Sequence, residues 1–469
     1  MKRFHRIAAT LIAFAENHFR FAEVVPQPFQ GSWPFFDRLP RVARSGPDWH
    51  PRNPGLIDGI PSGYSGQPEI TFGSYAKRSS EDGSAVAELG IGGRLCERSR
   101  MTIRLIRALL AVLLVAMPSS FAADRAATRG VAVGAIRWDA WHGDASEVGR
   151  AVQKSLAPKR WQERLPFFAE VAKDGAVTIA GDTDAVMTRE IAYAQAAGLE
   201  YWAFLAYDAE SPMSRALKRY LANPACANMH FCMIVDAGHW RPGNFEAEAA
   251  RCAELMARPN YQTVLHGRPL FYVLNLALES NEAAWAQAGG FRKAVEGLRT
   301  AARARGLPEP YCVAMLPWPD KAKAFAEASG CDAISAYAVQ AGGKGTPFAD
   351  LTAYVEDFWK RSLETGAKVV PLAMTGWDRR PRVENPVFWE HNEGWGADME
   401  RFYQGAKPAE IGNHVRKAVE WTRAHPTCAE AQAVIIYAWN EHDEGGWLCP
   451  TRGEGDARIQ AVGSALAQP

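Results

Sequence analysis

Glu441 and Glu444 are the residues whose type and spacing best fit chemistry in this 469-residue chain. Cleavage of a glycosidic bond takes two carboxyl groups flanking that bond, one to protonate the leaving oxygen and one to act as base or nucleophile. The pair lies three residues apart, just past the wholly apolar run Ala433-Val434-Ile435-Ile436-Tyr437-Ala438-Trp439. Gly445-Gly446 follow and permit a tight backbone path at that point. An exposed acidic turn is the plain alternative, but it does not explain why the acids cap a run that reads as a buried strand. A second pair, Glu390 and Glu393 in Glu390-His391-Asn392-Glu393-Gly394-Trp395, has the same spacing. It falls inside a long connection away from any strand end, so a loop role at the rim is expected there.

Other chemistries find little support in the sequence. It has no His-Glu-x-x-His, and His442-Asp443-Glu444 is too compressed to bind a metal without ligands from elsewhere, so no metal is expected. A Gly-x-Ser-x-Gly elbow is missing. Gly342-Gly343-Lys344-Gly345 lacks the Lys-Ser/Thr ending of a phosphate loop and reads as a flexible connection. No cofactor is expected.

The elements that must position the two glutamates can be read from the apolar periodicity. Strands are predicted over Val131–Asp139, Leu199–Asp208, Phe231–Gly238, Arg268–Asn275, Glu309–Leu316, Cys331–Val339, Lys368–Thr375 and Ala433–Asn440. Most are continuously apolar, as expected of strands buried on both faces of a parallel sheet. Amphipathic segments lie between them. In Pro408–His425, Ile411, Val415, Ala418, Val419 and Thr422 share one helical face and Pro426 stops the helix. Ile191, Ala194 and Gly198 form a similar stripe, with the glycine placed as a C-cap. Eight β-then-α units predict an α/β fold, a single (β/α)8 TIM barrel over residues 124–469 with long βα loops after strands 1 and 7. A doubly wound open sheet is the alternative.

In such a barrel, function belongs at the carboxyl ends of the strands. Strand one runs into Trp138, Asp139, Trp141 and His142, strand two into Tyr207 and Asp208, and strand three into Asp236, His239 and Trp240. Strand four ends at Asn275, strand five reaches Trp318, and strand six carries Tyr337. Strand seven leads to Trp377, Asp378 and Arg382, and strand eight to Trp439, Asn440 and Trp447. Of the 16 tryptophans, only Trp33 and Trp49 precede residue 124, and seven sit at or just past a strand end. Indole faces beside carboxylates, amides and guanidinium groups suit carbohydrate, whose C–H faces pack on aromatic rings while its hydroxyls need polar partners. An oligo- or polysaccharide is therefore the expected partner.

The composition agrees. Lys and Arg number 53 against 52 Asp and Glu, and a net charge of +1 argues against a nucleic-acid or anionic-membrane surface. Met101 opens a segment with Arg104 and Arg107, the apolar stretch Ala108–Met117 and the small-residue end Ser119–Ala123, the three parts of a secretory signal. Its apolar run is about half the roughly twenty residues that span a bilayer, so cleavage near Ala122 or Ala123 is expected rather than stable membrane insertion. The expected product is secreted or periplasmic and starts near Asp124. An internal signal implies that translation begins at Met101 and that residues 1–100, rich in Pro, Gly and Ser over 26–68, are a non-native or disordered extension. The rival signal is Met1–Ala15, with Lys2-Arg3 before Ile7. Seven cysteines follow residue 123, an odd number that leaves at least one free thiol; Cys428 with Cys449 and Cys226 with Cys232 are plausible pairs.

Trp439-Asn440-Glu441-His442-Asp443-Glu444-Gly445 resembles the Asn-Glu-x-x-Glu-Gly end-of-barrel motif of glycoside hydrolase family 99 and the related WbsX-like proteins of bacterial polysaccharide loci. Gly376-Trp377-Asp378-Arg379-Arg380-Pro381-Arg382 is similar to the Trp-Asp-Asn-x-x-Arg segment of the WbsX-like branch. His442 stands where the family has an aromatic residue, and Trp138-Asp139 differs from its tyrosine-rich start. The resemblance spans residues 131–455. It implies endo-acting, retaining cleavage of α-mannosidic linkages through a 1,2-anhydro sugar. Glu441 would deprotonate the sugar 2-hydroxyl and Glu444 would be the acid/base, which requires a raised Glu444 pKa. A carbohydrate-binding barrel without turnover is the non-enzyme alternative.

Overall fold

Eight short strands, predominantly apolar and with their few polar residues mostly at the ends, pair side by side in parallel. They are β1 (Ala132–Arg137), β2 (Tyr201–Leu205), β3 (His230–Asp236), β4 (Arg268–Leu274), β5 (Tyr311–Met315), β6 (Ala333–Ser335), β7 (Leu372–Met374) and β8 (Ala433–Tyr437). The computed structural model describes residues 130–390 and 394–468, which belong to one compact unit. The extension and the signal expected before residue 124, and His391, Asn392 and Glu393, lie outside the described residues.

The strand order is β7-β8-β1-β2-β3-β4-β5-β6. A parallel bridge between Ile334 and Val369 joins the two ends, with Val370 N donating to Ile334 O at 3.0 Å. The sheet therefore closes on itself, and the fold is a (β/α)8 barrel rather than an open doubly wound sheet. All eight predicted strands are present but shorter than their apolar runs, most of all Cys331–Val339, of which only Ala333–Ser335 is strand. Apolarity marks burial, and it continues into the first loop residues at the barrel mouth, beyond the last ladder hydrogen bond. Inside the barrel the Tyr201 hydroxyl lies 3.0 Å from that of Tyr272 and donates to Val434 O at 2.9 Å, so the one polar group the tyrosine carries inward has partners.

Helices cover the outside: α1 (Glu147–Leu156), α2 (Asp184–Ala196), α3 (Arg215–Ala222), α4 (Phe245–Met256), α5 (Leu278–Trp285), α6 (Arg292–Arg303), α7 (Pro319–Ser329), α8 (Phe348–Glu364), α9 (Arg380–Glu384), α10 (Pro408–Ala424) and α11 (Ala457–Leu466). Ile411, Val415, Ala418, Val419 and Thr422 of α10 are buried, as their spacing predicts. Gly198 takes φ +74° after α2, the left-handed cap position that glycine enters without steric cost. The long excursions fall after β1, where α1 and the hairpin Ala169–Val171/Val177–Ile179 precede α2, and after β7, where α9 precedes α10. No described helix is long and apolar enough to cross a membrane.

All seven described cysteines are free, which corrects the expected pairings. The Cys428 Sγ faces Ala367 O at 3.4 Å, whereas Cys449 is buried with its Sγ 3.8 Å from Glu190 Oε1. Sequence neighbours on either side of β8 are thus drawn to different partners by the barrel.

Candidate active site

The chain leaves β8 and turns immediately into a two-rung antiparallel hairpin, pairing Asn440 with Trp447 and Glu441 with Gly446. Gly445 has φ +85°, and a Cβ there would sit 2.4 Å from the Asp378 nitrogen; at Gly446 it would sit 2.3 Å from the Tyr437 ring. The two glycines are what let the hairpin lie flat against the β7 loop, as the sequence suggests. Asp378 N donates to Glu444 O at 2.6 Å across that contact.

Both glutamates line a cleft at the carboxyl ends of the strands, about 790 Å³ including the space that merges with solvent. Trp318, Tyr337, Tyr354, Trp377 and Gln340 share it, together with Leu205, Leu274, Leu276, Pro317, Ala338 and Val339. Of the site residues expected from sequence, the cleft gathers Glu441, Glu444, Trp318, Tyr337 and Trp377. The Tyr337 hydroxyl donates to Glu441 Oε1 at 2.6 Å, and the Tyr437 hydroxyl donates to Glu444 Oε2.

Beneath the pair lies Arg382, whose side chain is 0% exposed. Its Nε and Nη2 reach the two carboxylate oxygens of Asp443 at 2.8 and 2.9 Å, a bidentate fork. Nη1 donates to Glu444 Oε1 and, at 2.8 Å, to Glu390 Oε1, and Nη2 lies 3.4 Å from Glu441 Oε2. The indoles of Trp138 and Trp389 flank the guanidinium, with centroids 5.2 and 5.7 Å away. Ser155 of α1 hydrogen-bonds Asp443 Oδ2 at 3.1 Å, so the β1 excursion buttresses the same cluster. Arg382 was expected to meet substrate; in this structure it is enclosed and engaged by carboxylates instead.

The cluster also revises the reading of Glu390. It is not a rim residue. The loop after β7 folds back, so that Glu390 is buried against Arg382 and Arg379. Burial pushes its carboxyl up, but the two guanidinium groups outweigh it and hold it below the usual carboxylate range. For Glu441, burial and then the neighbouring Glu444 carboxylate push its pKa well up, against the weaker pull of Arg382. Glu444 is also raised, by burial and by Glu390, with the Arg382 contact opposing.

The remaining expected residues stand around the site without lining the cleft. The Trp138 nitrogen donates to Asn440 Oδ1 at 2.9 Å and its indole N–H to the Tyr207 hydroxyl at 2.8 Å. Asn440 Nδ2 donates to Asp139 Oδ1, which also accepts from Arg137. Arg137 in turn pairs with Glu190, and Glu190 accepts the Trp439 indole N–H at 2.9 Å. These polar groups form a buried frame tying β1 to β8. His142 accepts or donates at Ser146 Oγ, 2.6 Å away. Trp141 meets the His442 ring edge-on, and Trp447 stacks on it. His442 thus serves as an aromatic spacer, its basicity lowered to about 3 by burial. Asp236 accepts from Gly238 N, Asn275 from Asn281, and Trp240 packs between Phe271 and Phe291. Asp208 is exposed, His239 packs edge-on to Tyr207, and Asp378 is held ionised between Arg164 and Arg380.

Sequence reading missed Tyr437, Tyr354, Gln340 and the leucines of the cleft. Tyr437 alone carried a signal, as the only hydroxyl within the apolar β8 run. Among the described residues no group of three His, Cys, Asp or Glu side chains is placed to hold a metal ion.

No protein-family model matches the chain, and no curated protein does. Among solved structures it is similar to two of the family 99 endo-α-mannosidase from Bacteroides thetaiotaomicron, one of them in complex with bis-tris-propane. Each is 13% identical with a TM-score of 0.45, over 71% of this chain and 95% or 96% of the other. A family 138 enzyme targeting pectin rhamnogalacturonan II is 10% identical with a TM-score of 0.34, over 72% of this chain and 39% of that one.

Proposed function

We propose that this protein is a glycoside hydrolase that cleaves within oligo- or polysaccharides at α-mannoside-type linkages with retention, using Glu441 and Glu444. The observation that carries the reading is the placement of both carboxyls, each with a raised pKa and a tyrosine hydroxyl, in one aromatic-walled cleft at the barrel mouth. Trp318, Trp377 and Tyr337 offer faces and edges for a sugar ring.

In the scheme that the motif resemblance implies, Glu444 gives its proton to the leaving oxygen while Glu441 takes the proton of the 2-hydroxyl. O2 then closes on C1 to give the 1,2-anhydro sugar. Water, deprotonated by Glu444, opens that ring at C1, and Glu441 returns its proton to O2. The glycosidic bond is replaced by a bond to water, and both glutamates end as they began. Without substrate the electrostatics favour a proton on Glu441, because Arg382 bonds Glu444 more closely. Occupation of the cleft must therefore shift that proton toward Glu444 for the scheme to run.

Incubation of the purified protein with α-mannan fragments and bacterial exopolysaccharides should give internal cleavage, with the α-anomer appearing first by proton NMR. Inversion at C1 would overturn the mechanism. Binding of these glycans without any cleavage would favour the non-catalytic carbohydrate-binding barrel.

We also propose export from a start at Met101. N-terminal sequencing of exported protein should read from near Asp124, and recovery of residues 1–100 on it would overturn this.

A further inference from the structure

The cleft has two unlike sides. Its chemical side comes from β6, β7 and β8 and their loops: Tyr337, Trp377, Glu441 and Glu444. Across the closed ring, β2, β4 and the residues just after β4 present Leu205, Leu274 and Leu276, and the β5 loop adds Pro317 and Trp318. The polar residues that β2, β3 and β4 carry to the same mouth bond to other protein groups, although the Asn275 Nδ2 is buried without a partner. The Tyr207 hydroxyl accepts the Trp138 indole N–H at 2.8 Å, and Asp236 accepts Gly238 N at 2.5 Å. Asn275 accepts from Asn281, whose own oxygen accepts from Arg241 at 2.9 Å. None of these three strand-end residues lines the cleft.

An ordinary hexose has a hydroxyl on almost every carbon. A hydroxyl pressed onto the leucine side would lose its water and gain no partner, a loss of about tenfold to a hundredfold in binding for each such group. A methyl or acyl group there gains by leaving water.

We infer that the sugar taken across Glu441 and Glu444 carries an apolar substituent, a methyl group at C6 in place of hydroxymethyl or an O-acyl ester, which seats on Leu205, Leu274 and Leu276. This deepens the glycosidase reading and rests on it. The substrate class is then a deoxy- or O-acyl-glycan rather than a fully hydroxylated one.

Calorimetric titration of the unmodified protein with methyl α-D-mannoside, its 6-deoxy analogue and its 6-O-acetyl ester separates the possibilities. At least one substituted glycoside should bind about tenfold or more tightly than the mannoside, and which one does so tells a deoxy from an acyl substrate. Leu276 is only partly buried, so Leu276→Asn should fold; it should bring the three affinities together. Leu276→Ala, which removes contact without adding a polar group, should weaken the favoured ligand more than it weakens the mannoside and so shrink the preference. Equal or tighter mannoside binding, a preference untouched by both variants, or binding of none of the three overturns the inference. Turnover is read separately with the corresponding α-glycosyl fluorides. A binding preference without turnover would leave the inference standing and remove the hydrolase reading, and turnover without preference would do the reverse.

Discussion

Glu444→Gln should lower cleavage of an unactivated glycan by about 10²–10⁴-fold while sparing substrates whose leaving group departs without a proton. The substitution removes the transferable proton but keeps the shape; with the amide oxygen toward Arg382, the amide nitrogen can donate to the Tyr437 hydroxyl. Glu441→Gln should impair both kinds of substrate, because attack by the 2-hydroxyl needs a base whatever the leaving group. Sugar binding should persist in both, since Trp318 and Trp377 supply contact area without proton transfer. The comparison is informative because the unliganded site favours the proton on Glu441. Steady-state rates on a glycan and on a fluoride donor suffice. Selective sparing of the fluoride by Glu441→Gln would exchange the two roles, and undiminished activity in both variants would remove the chemistry from this pair.

The barrel was legible because each of its strands is buried on both faces. Burial of that kind leaves an unbroken apolar run, as in Ala433–Tyr437, and the eight runs fall in order along the chain. What apolarity could not fix was where pairing stops. Tyr337 lies past the three-residue β6, partly buried, and still faces the cleft, because shielding from solvent extends past the last ladder hydrogen bond.

The site was legible where one short segment holds it. Glu441, Glu444 and the glycine turn all sit in a hairpin whose geometry depends on consecutive residues. It was obscure where partners come from distant loops. Glu390 lies 11 residues past Arg379 and 8 past Arg382, yet all three meet below the glutamates. Nothing in their spacing requires the β7 loop to double back. On one side of the mouth the strand-end polar groups bond within the fold for a similar reason. Asp236 and Asn275 are at strand ends, as read, but Gly238, two residues on, and Asn281 of α5 bond them. A residue type at a strand end shows what it can bond, not which neighbour reaches it first.

Arg382→Met should destabilise the fold by about 3–5 kcal/mol, since it leaves Asp443, Glu390 and Glu444 buried without their shared cation. The loss should depend on pH in a definite direction. In the native protein Glu390 titrates below its usual range, so it adds stability above its unfolded pKa that is lost as pH falls. Without Arg382 the same burial acts with less opposition and lifts Glu390, Glu441 and Glu444, so the folded variant holds more protons than the unfolded chain above about pH 4. Its stability then falls as pH rises, and the gap between the two proteins should widen from about pH 4 to pH 7, as read by denaturant unfolding. Arg382→Lys should recover only part of the difference, because an ammonium keeps the charge but cannot span both oxygens of Asp443 while reaching Glu390 and Glu444. A deficit independent of pH would instead assign the effect to lost packing between Trp138 and Trp389, with the four carboxyls indifferent to the charge beneath them.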